Sequence, residues 1–181
     1  GFVITLWVGQ LQFALGPYIQ NLADLDSVTA SQWTGTVLMA ASVSAVLAGP
    51  LGNRWLSPMP RILGGLWLGV FTLGGILLAA SSSVLGVGVA VCLITAGLTL
   101  AAPWYGSILR ARRPDAHGQV SGRLISVHTI GFGSGTLFGG LMLELVPEQA
   151  MAAFYLLGPV AGTLALIHHL RVRAGTVPPT V

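Results

Sequence analysis

Long apolar runs separated by short polar breaks make up nearly the whole chain. A helix crossing the hydrocarbon core of a bilayer needs roughly 20 consecutive apolar residues. Six runs qualify, at residues 2–22, 33–52, 62–80, 85–109, 119–143 and 149–170. The first ends before Asp24 and Asp26, and the second ends at Asn53 and Arg54. Residues 62–109 carry no charge and are too many for one span, so Ser81-Ser82-Ser83 is the predicted turn between two spans. No run alternates apolar and polar residues as a barrel strand does. Backbone groups in lipid must be satisfied within their own segment, so the spans are predicted helices. The expected fold is an all-α polytopic membrane protein with one six-helix domain over residues 1–175. The tail 176–181 has two prolines and no periodicity, and is predicted to be disordered.

Composition agrees with that pattern. Of 181 residues, 54% are hydrophobic and only 7% are charged, against roughly 25% charged in an ordinary soluble domain. Every basic residue is Arg, and net charge is +3. The arginines occupy only the breaks between apolar runs, which speaks against nucleic-acid binding. The single cysteine, Cys92, lies inside an apolar run, so neither a disulfide framework nor a cysteine-based metal site is expected. The first run is as long as a span and lacks a small-residue cleavage site, which makes it a helix and not a signal peptide. The chain opens on Gly1 and not Met, which suggests a segment of something longer.

The charges sort by side. Arg54 and Arg61 follow the second run, Arg110, Arg112, Arg113 and Arg123 surround the break after the fourth, and Arg171 and Arg173 follow the sixth. Six alternating crossings place all eight arginines on one side. Asp24, Asp26, Glu144 and Glu148 fall on the other, and only Asp115 joins the arginines. Under the positive-inside rule the arginine side is cytoplasmic, and so are both ends of the segment.

The break after the second run reads Gly49-Pro50-Leu51-Gly52-Asn53-Arg54, followed by Arg61. It resembles the signature loop of the major facilitator superfamily, Gly-x-Leu-x-Asp-Arg-x-Gly-Arg-Arg. Gly49, Leu51 and Arg54 match, Asn53 replaces the Asp, the second glycine is missing, and Arg61 is displaced by a longer turn. Gly131, Gly135, Gly139 and Gly140 resemble the Gly-x-x-x-Gly-Pro-x-x-Gly-Gly motif of the drug/proton antiporter branch, with Thr136 in place of the proline. First halves of this family often carry an arginine inside the fourth helix. Here none occurs before Arg110, so the chain resembles a carboxy-terminal half.

The resemblance implies a bacterial inner-membrane secondary transporter. It would export amphipathic small molecules in exchange for protons and would work with an amino-terminal six-helix half of the same protein. It implies no cofactor and no enzymatic activity. By the same analogy, Arg54 helps to latch the cytoplasmic face.

From the residues themselves, Gly131, Gly135 and Gly139 form one strip that lets two helix backbones come close. Gly65 and Gly69 make a shorter version in the third run. Polar side chains inside a span are costly and tend to face a cavity or a neighbouring helix. Gln10 and Gln12 lie near mid-span but about 200° apart around the helix, so at most one lines a cavity. His128 is the one ionisable group well inside a span; it is either a proton carrier or a neutral ring bonded to a neighbouring helix. Trp104 and Tyr105 read as interfacial anchors, and Pro17, Pro103 and Pro159 as candidate kinks. His168 and His169 are adjacent, do not share a helix face, and make a poor metal pair.

Two rival functions have sequence features of their own. A self-contained six-helix carrier could obtain its second wall from another copy. An intramembrane hydrolase would need Ser134 beside His168, but the predicted depths differ by well over 10 Å at ~1.5 Å per residue.

Overall fold

The computed structural model describes residues 2–56, 58–112 and 117–145, together with Leu164 and Ile167. These residues form α1 (Phe2–Leu22), α2 (Ser27–Pro50), α3 (Pro60–Ala80), α4 (Val84–Arg112) and α5 (His117–Leu145), and a π-helical segment, Leu51–Leu56, prolongs α2. Among the described residues there is no strand, and five helices are long and apolar enough to cross a membrane. The described chain is therefore all-helical and has the make-up of a helical membrane protein. Apart from Leu164 and Ile167, the sixth expected span (149–170) lies outside the described residues. So do the tail 176–181 and Arg113, Asp115, Glu148, Pro159, His168, His169, Arg171 and Arg173.

The connections follow local chemistry. At the end of α1 the Leu25 N–H donates to the Gln20 carbonyl at 3.0 Å, and Asp24 takes a left-handed backbone with φ 49°. This is a Schellman closure with Asp where glycine is usual. Asp26 then caps α2, its carboxylate accepting from the Val28 and Thr29 N–H groups at 2.9 and 3.0 Å and from the Thr29 hydroxyl at 2.6 Å. The second helix therefore starts at Ser27, not at residue 33 as expected. Ser27, Thr29, Ser31 and Gln32 look like a loop by polarity, but an N-cap Asp turns them into helix.

The far end of α2 also departs from expectation. Residues Gly49–Arg54 do not form a loop but stay helical through Leu56. Pro50 has no N–H to donate backwards, and the helix widens to the π form immediately after it. Between α3 and α4 the chain does turn at the serines: Ser83 Oγ accepts from the Gly86 N–H at 3.2 Å, and Ser81 Oγ donates to the Leu77 carbonyl at 2.6 Å.

Neighbour contacts fix the helix directions. On α5, Gly131 faces Phe2 and Thr5 whereas Gly139 faces Gln10, so α1 and α5 run parallel. Gly88 faces Val37 and Gly49 faces Thr99, so α2 and α4 also run parallel, and Ser44 Oγ donates to the Cys92 carbonyl between them at 3.0 Å. Gly74 faces Ala90 and Ile94 while Gly97 faces Trp67 and Phe71, which makes α3 and α4 antiparallel. Odd and even helices thus point in opposite directions. The pair α1–α5 also mirrors the pair α4–α2, with the crossing direction inverted.

These directions gather the described charges. Arg54 and Arg123 lie at one end of the bundle, and Asp24, Asp26 and Glu144 at the other. On α5, Arg123 and Glu144 are separated by about 31 Å at ~1.5 Å per residue, close to the hydrocarbon thickness of roughly 30 Å. The core runs through the middle, with Leu15 and Ile19 of α1, Leu63, Phe71 and Leu78 of α3, and Val87 and Ile94 of α4 all buried. By contrast, α2 buries only Ala30, Val37 and Ala41.

Candidate functional site

The closest helix contact is the seam between α1 and α5. A Cβ added at Gly135 would overlap the Leu6 carbonyl and come within 3.0 Å of the Gln10 nitrogen. One at Gly131 would run into Thr5 Oγ1 and the Phe2 carbonyl, and one at Gly139 would lie 3.2 Å from Gln10 Cα, Cγ and O. Gly9 answers from α1, with no room for a Cβ beside the Phe132 carbonyl. Two backbones in direct contact over about two turns need glycine on both sides. Gly140 lies one position off the seam, with 3.4 Å between its Cβ position and the Phe13 ring.

Gln10 lies inside this seam. It is 1% exposed, the only polar or charged side chain buried to that extent among the described residues. Neither its Nε2 nor its Oε1 has a hydrogen-bond partner. An unpaired buried donor or acceptor costs about 1–3 kcal/mol. The indole nitrogen of Trp7, one turn earlier on the same face, is also buried and unpaired, as are Trp67 Nε1 and Thr72 Oγ1 on α3. Trp7 packs edge-on against Phe71 at 5.1 Å between ring centroids, and Phe71 against Trp67 at 6.2 Å. The two glutamines separate as their helical angle requires: Gln10 is buried and Gln12 is exposed.

His128 has a partner within the bundle. Its Nε2 is 2.7 Å from Tyr105 Oη, and the rings meet edge to face at 5.6 Å and 84°. The pair joins α4 to α5, one to two turns inward from Arg123. Tyr105 is thus an interhelical contact and not only an interfacial anchor. Trp104 is half-buried and packs at a tilt against Trp67, with 5.7 Å between ring centroids, in a space left open by Gly64, whose Cβ position is 2.8 Å from the Trp104 indole nitrogen.

The signature residues spread over the end of α2 and beyond. Gly49 is half-buried, 3.9 Å from Thr99 measured from its Cβ position. Leu51 and Arg54 are exposed on the π segment, and Arg61 falls in the first turn of α3. The side chains of Asn53 and Arg61 lie outside the described part of the structure.

Some packing residues gave no sequence signal. Gly65 and Gly69, the strip expected in α3, are exposed and have no described neighbour within 4 Å of a Cβ position. The tight α3–α4 contacts come instead from Gly74, against the Ile94 nitrogen at 2.8 Å, and Gly97, against the Phe71 nitrogen at 2.8 Å. Gly52 likewise lets the π segment settle against Leu100 and Pro103. These glycines lie on different helical segments and form no common strip, so no spacing rule marks them.

An open groove of about 400 Å³ runs along the acidic end of α1 and α5, lined by Phe13, Thr136, Leu137, Gly140, Leu141 and Glu144. No cluster of three or more His, Cys, Asp or Glu side chains that could hold a metal occurs among the described residues. Outside the spans, hydrogen bonds from the Thr29 hydroxyl and then the Thr29 backbone hold the Asp26 carboxyl below the usual carboxylate range.

Compared with known proteins, the chain matches no family model, no curated protein and no solved structure.

Proposed function

We propose that this chain is the carboxy-terminal half of a secondary transporter of the major facilitator type, with residues 149–170 as its sixth span. It moves a small amphipathic molecule across the membrane by alternating access, in exchange for protons. The amino-terminal six-helix half of the same protein supplies the other wall of the pathway. The membrane is the bacterial inner membrane, with the arginine-bearing end of the bundle and both ends of the segment in the cytoplasm.

The observation that carries this reading is the inverted relation between two parallel helix pairs, α1 with α5 and α4 with α2. Secondary transporters are commonly built from repeats inverted across the membrane, with substrate held near the midplane where the repeats meet. Three further features support it. Arginines and carboxylates lie at opposite ends, a glycine seam brings the backbones of α1 and α5 into contact, and an uncompensated amide lies at mid-span. The largely exposed α2 gives the missing half a surface to meet.

The test is substrate-dependent proton flux in proteoliposomes that hold the intact protein. Proton movement that follows addition of an amphipathic substrate supports the reading. A protein that moves neither substrate nor protons under an imposed gradient overturns it.

A further inference from the structure

We infer that the α1–α5 seam is a closed gate and that Gln10 is the polar group it conceals. The inference rests on the transport reading and adds to it which contact opens and which side chain is uncovered.

Three observations converge on Gln10. Its side chain runs along the seam, with Cγ 3.2 Å from the Cβ position of Gly139. It is 1% exposed and neither end of its carboxamide is paired. The unpaired Trp7 indole nitrogen lies one turn away on the same helix. A membrane helix gains nothing from an orphaned amide in a sealed contact, because a methionine or leucine would fill the same space without leaving polar atoms unpaired. The amide is therefore used in another arrangement. The seam allows one: glycines 131, 135 and 139 send no side chain of their own into α1, so α5 can draw back from α1 as a unit.

When α5 withdraws, the Gln10 carboxamide and the Trp7 N–H become open to the pathway. They present one acceptor and several donors, and no described ionisable group is buried beside them. The exposed site therefore bonds water or an uncharged polar part of the substrate. His128 stays out of it, because its ring is already held by Tyr105.

Cysteine accessibility in the intact protein tests the gate. With Cys92→Ser as background, Gln10→Cys in membrane vesicles is expected to react with an impermeant thiol reagent at least ~10-fold faster than Leu78→Cys. Leu78, on α3, is equally buried. Equal rates from both sides of the membrane overturn the proposal. Independently, Gln10→Met removes the orphan while keeping the shape, so it is expected to raise the thermal midpoint in detergent. A lowered midpoint means that the amide is paired, and also overturns it. Neither readout needs a substrate. Labelling of Gln10→Cys in a protein that transports nothing would leave the gate standing and remove the transport reading alone.

Discussion

Tyr105 Oη and His128 Nε2 meet at 2.7 Å and tie α4 to α5 near the arginine-bearing end of the bundle. Elsewhere α5 rests on α1, while α4 rests on α2 and α3. The hydrogen bond is thus a direct side-chain link between α4 and α5, two helices that otherwise touch little. Tyr105→Phe keeps the edge-to-face ring contact and removes the hydroxyl, so a stability loss of about 1 kcal/mol is expected. Because the histidine is a structural partner, His128→Gln in the intact protein is expected to leave pH-driven transport in place. Loss of all pH dependence would make the ring a proton carrier instead. A double-mutant cycle on thermal stability checks the coupling between the two residues.

The glycines divide into two kinds. Gly135→Ala drives a methyl group into the Leu6 carbonyl and is expected to cost about 1–3 kcal/mol by overpacking. Gly65→Ala and Gly69→Ala meet no described atom within 4 Å and are expected to leave the thermal midpoint unchanged or slightly higher, since alanine favours helix. Melting curves of the three variants in one detergent decide this. Equal effects at positions 65 and 135 would contradict the α1–α5 packing.

Asp26 gives a pH dependence of definite sign. Its carboxyl titrates below the ordinary value because Thr29 bonds the charged form. The folded state therefore favours the carboxylate. The stabilisation is fully present above the unfolded pKa, about 3.9, and is lost as pH falls from there through the lower folded value. Thermal melts of the wild type and Asp26→Ala should differ by a constant amount between pH 5 and 7 and converge below about pH 4. A gap that persists in acid would mean that the cap acts through something other than its charge.

Sidedness has a direct check. Ser82 lies in the turn between α3 and α4, and Arg112 ends α4. Cysteines at these positions should react with an impermeant reagent from opposite faces of the membrane, position 82 outside and position 112 inside. Labelling from one face would refute the crossing pattern and the orientation with it.

Much of the fold was legible because the bilayer imposes a strong rule on sequence. A span must be long and apolar throughout, and a charge in the middle is costly. Apolar run lengths and the positions of Asp24, Arg54, the three serines and Arg110 were therefore enough to find the described helices within three residues, α1 to the residue, except at the start of α2, which lies six residues earlier than expected. The errors came where local chemistry overrode polarity: the Asp26 cap pulled Ser27–Gln32 into α2, and Pro50 was followed by a π turn and not a loop. The glycine strip on α5 was readable from its spacing, and so was the opposite placement of Gln10 and Gln12, since both depend only on the helical repeat.

The sequence by itself thus determined that the chain is a string of membrane-length helices, with arginines and acids in alternate connections. Only the tertiary structure decided which helices touch. It paired the Gly131–Gly139 strip with α1, sealed Gln10 without a partner, joined His128 to Tyr105, and gave the α3–α4 contact to Gly74 and Gly97 in place of Gly65 and Gly69. The reason is physical: every helix here is apolar on most of its surface, so hydrophobicity cannot choose a partner in lipid. The choice falls to shape, to where a missing Cβ lets two backbones meet, and shape is a property of pairs of helices.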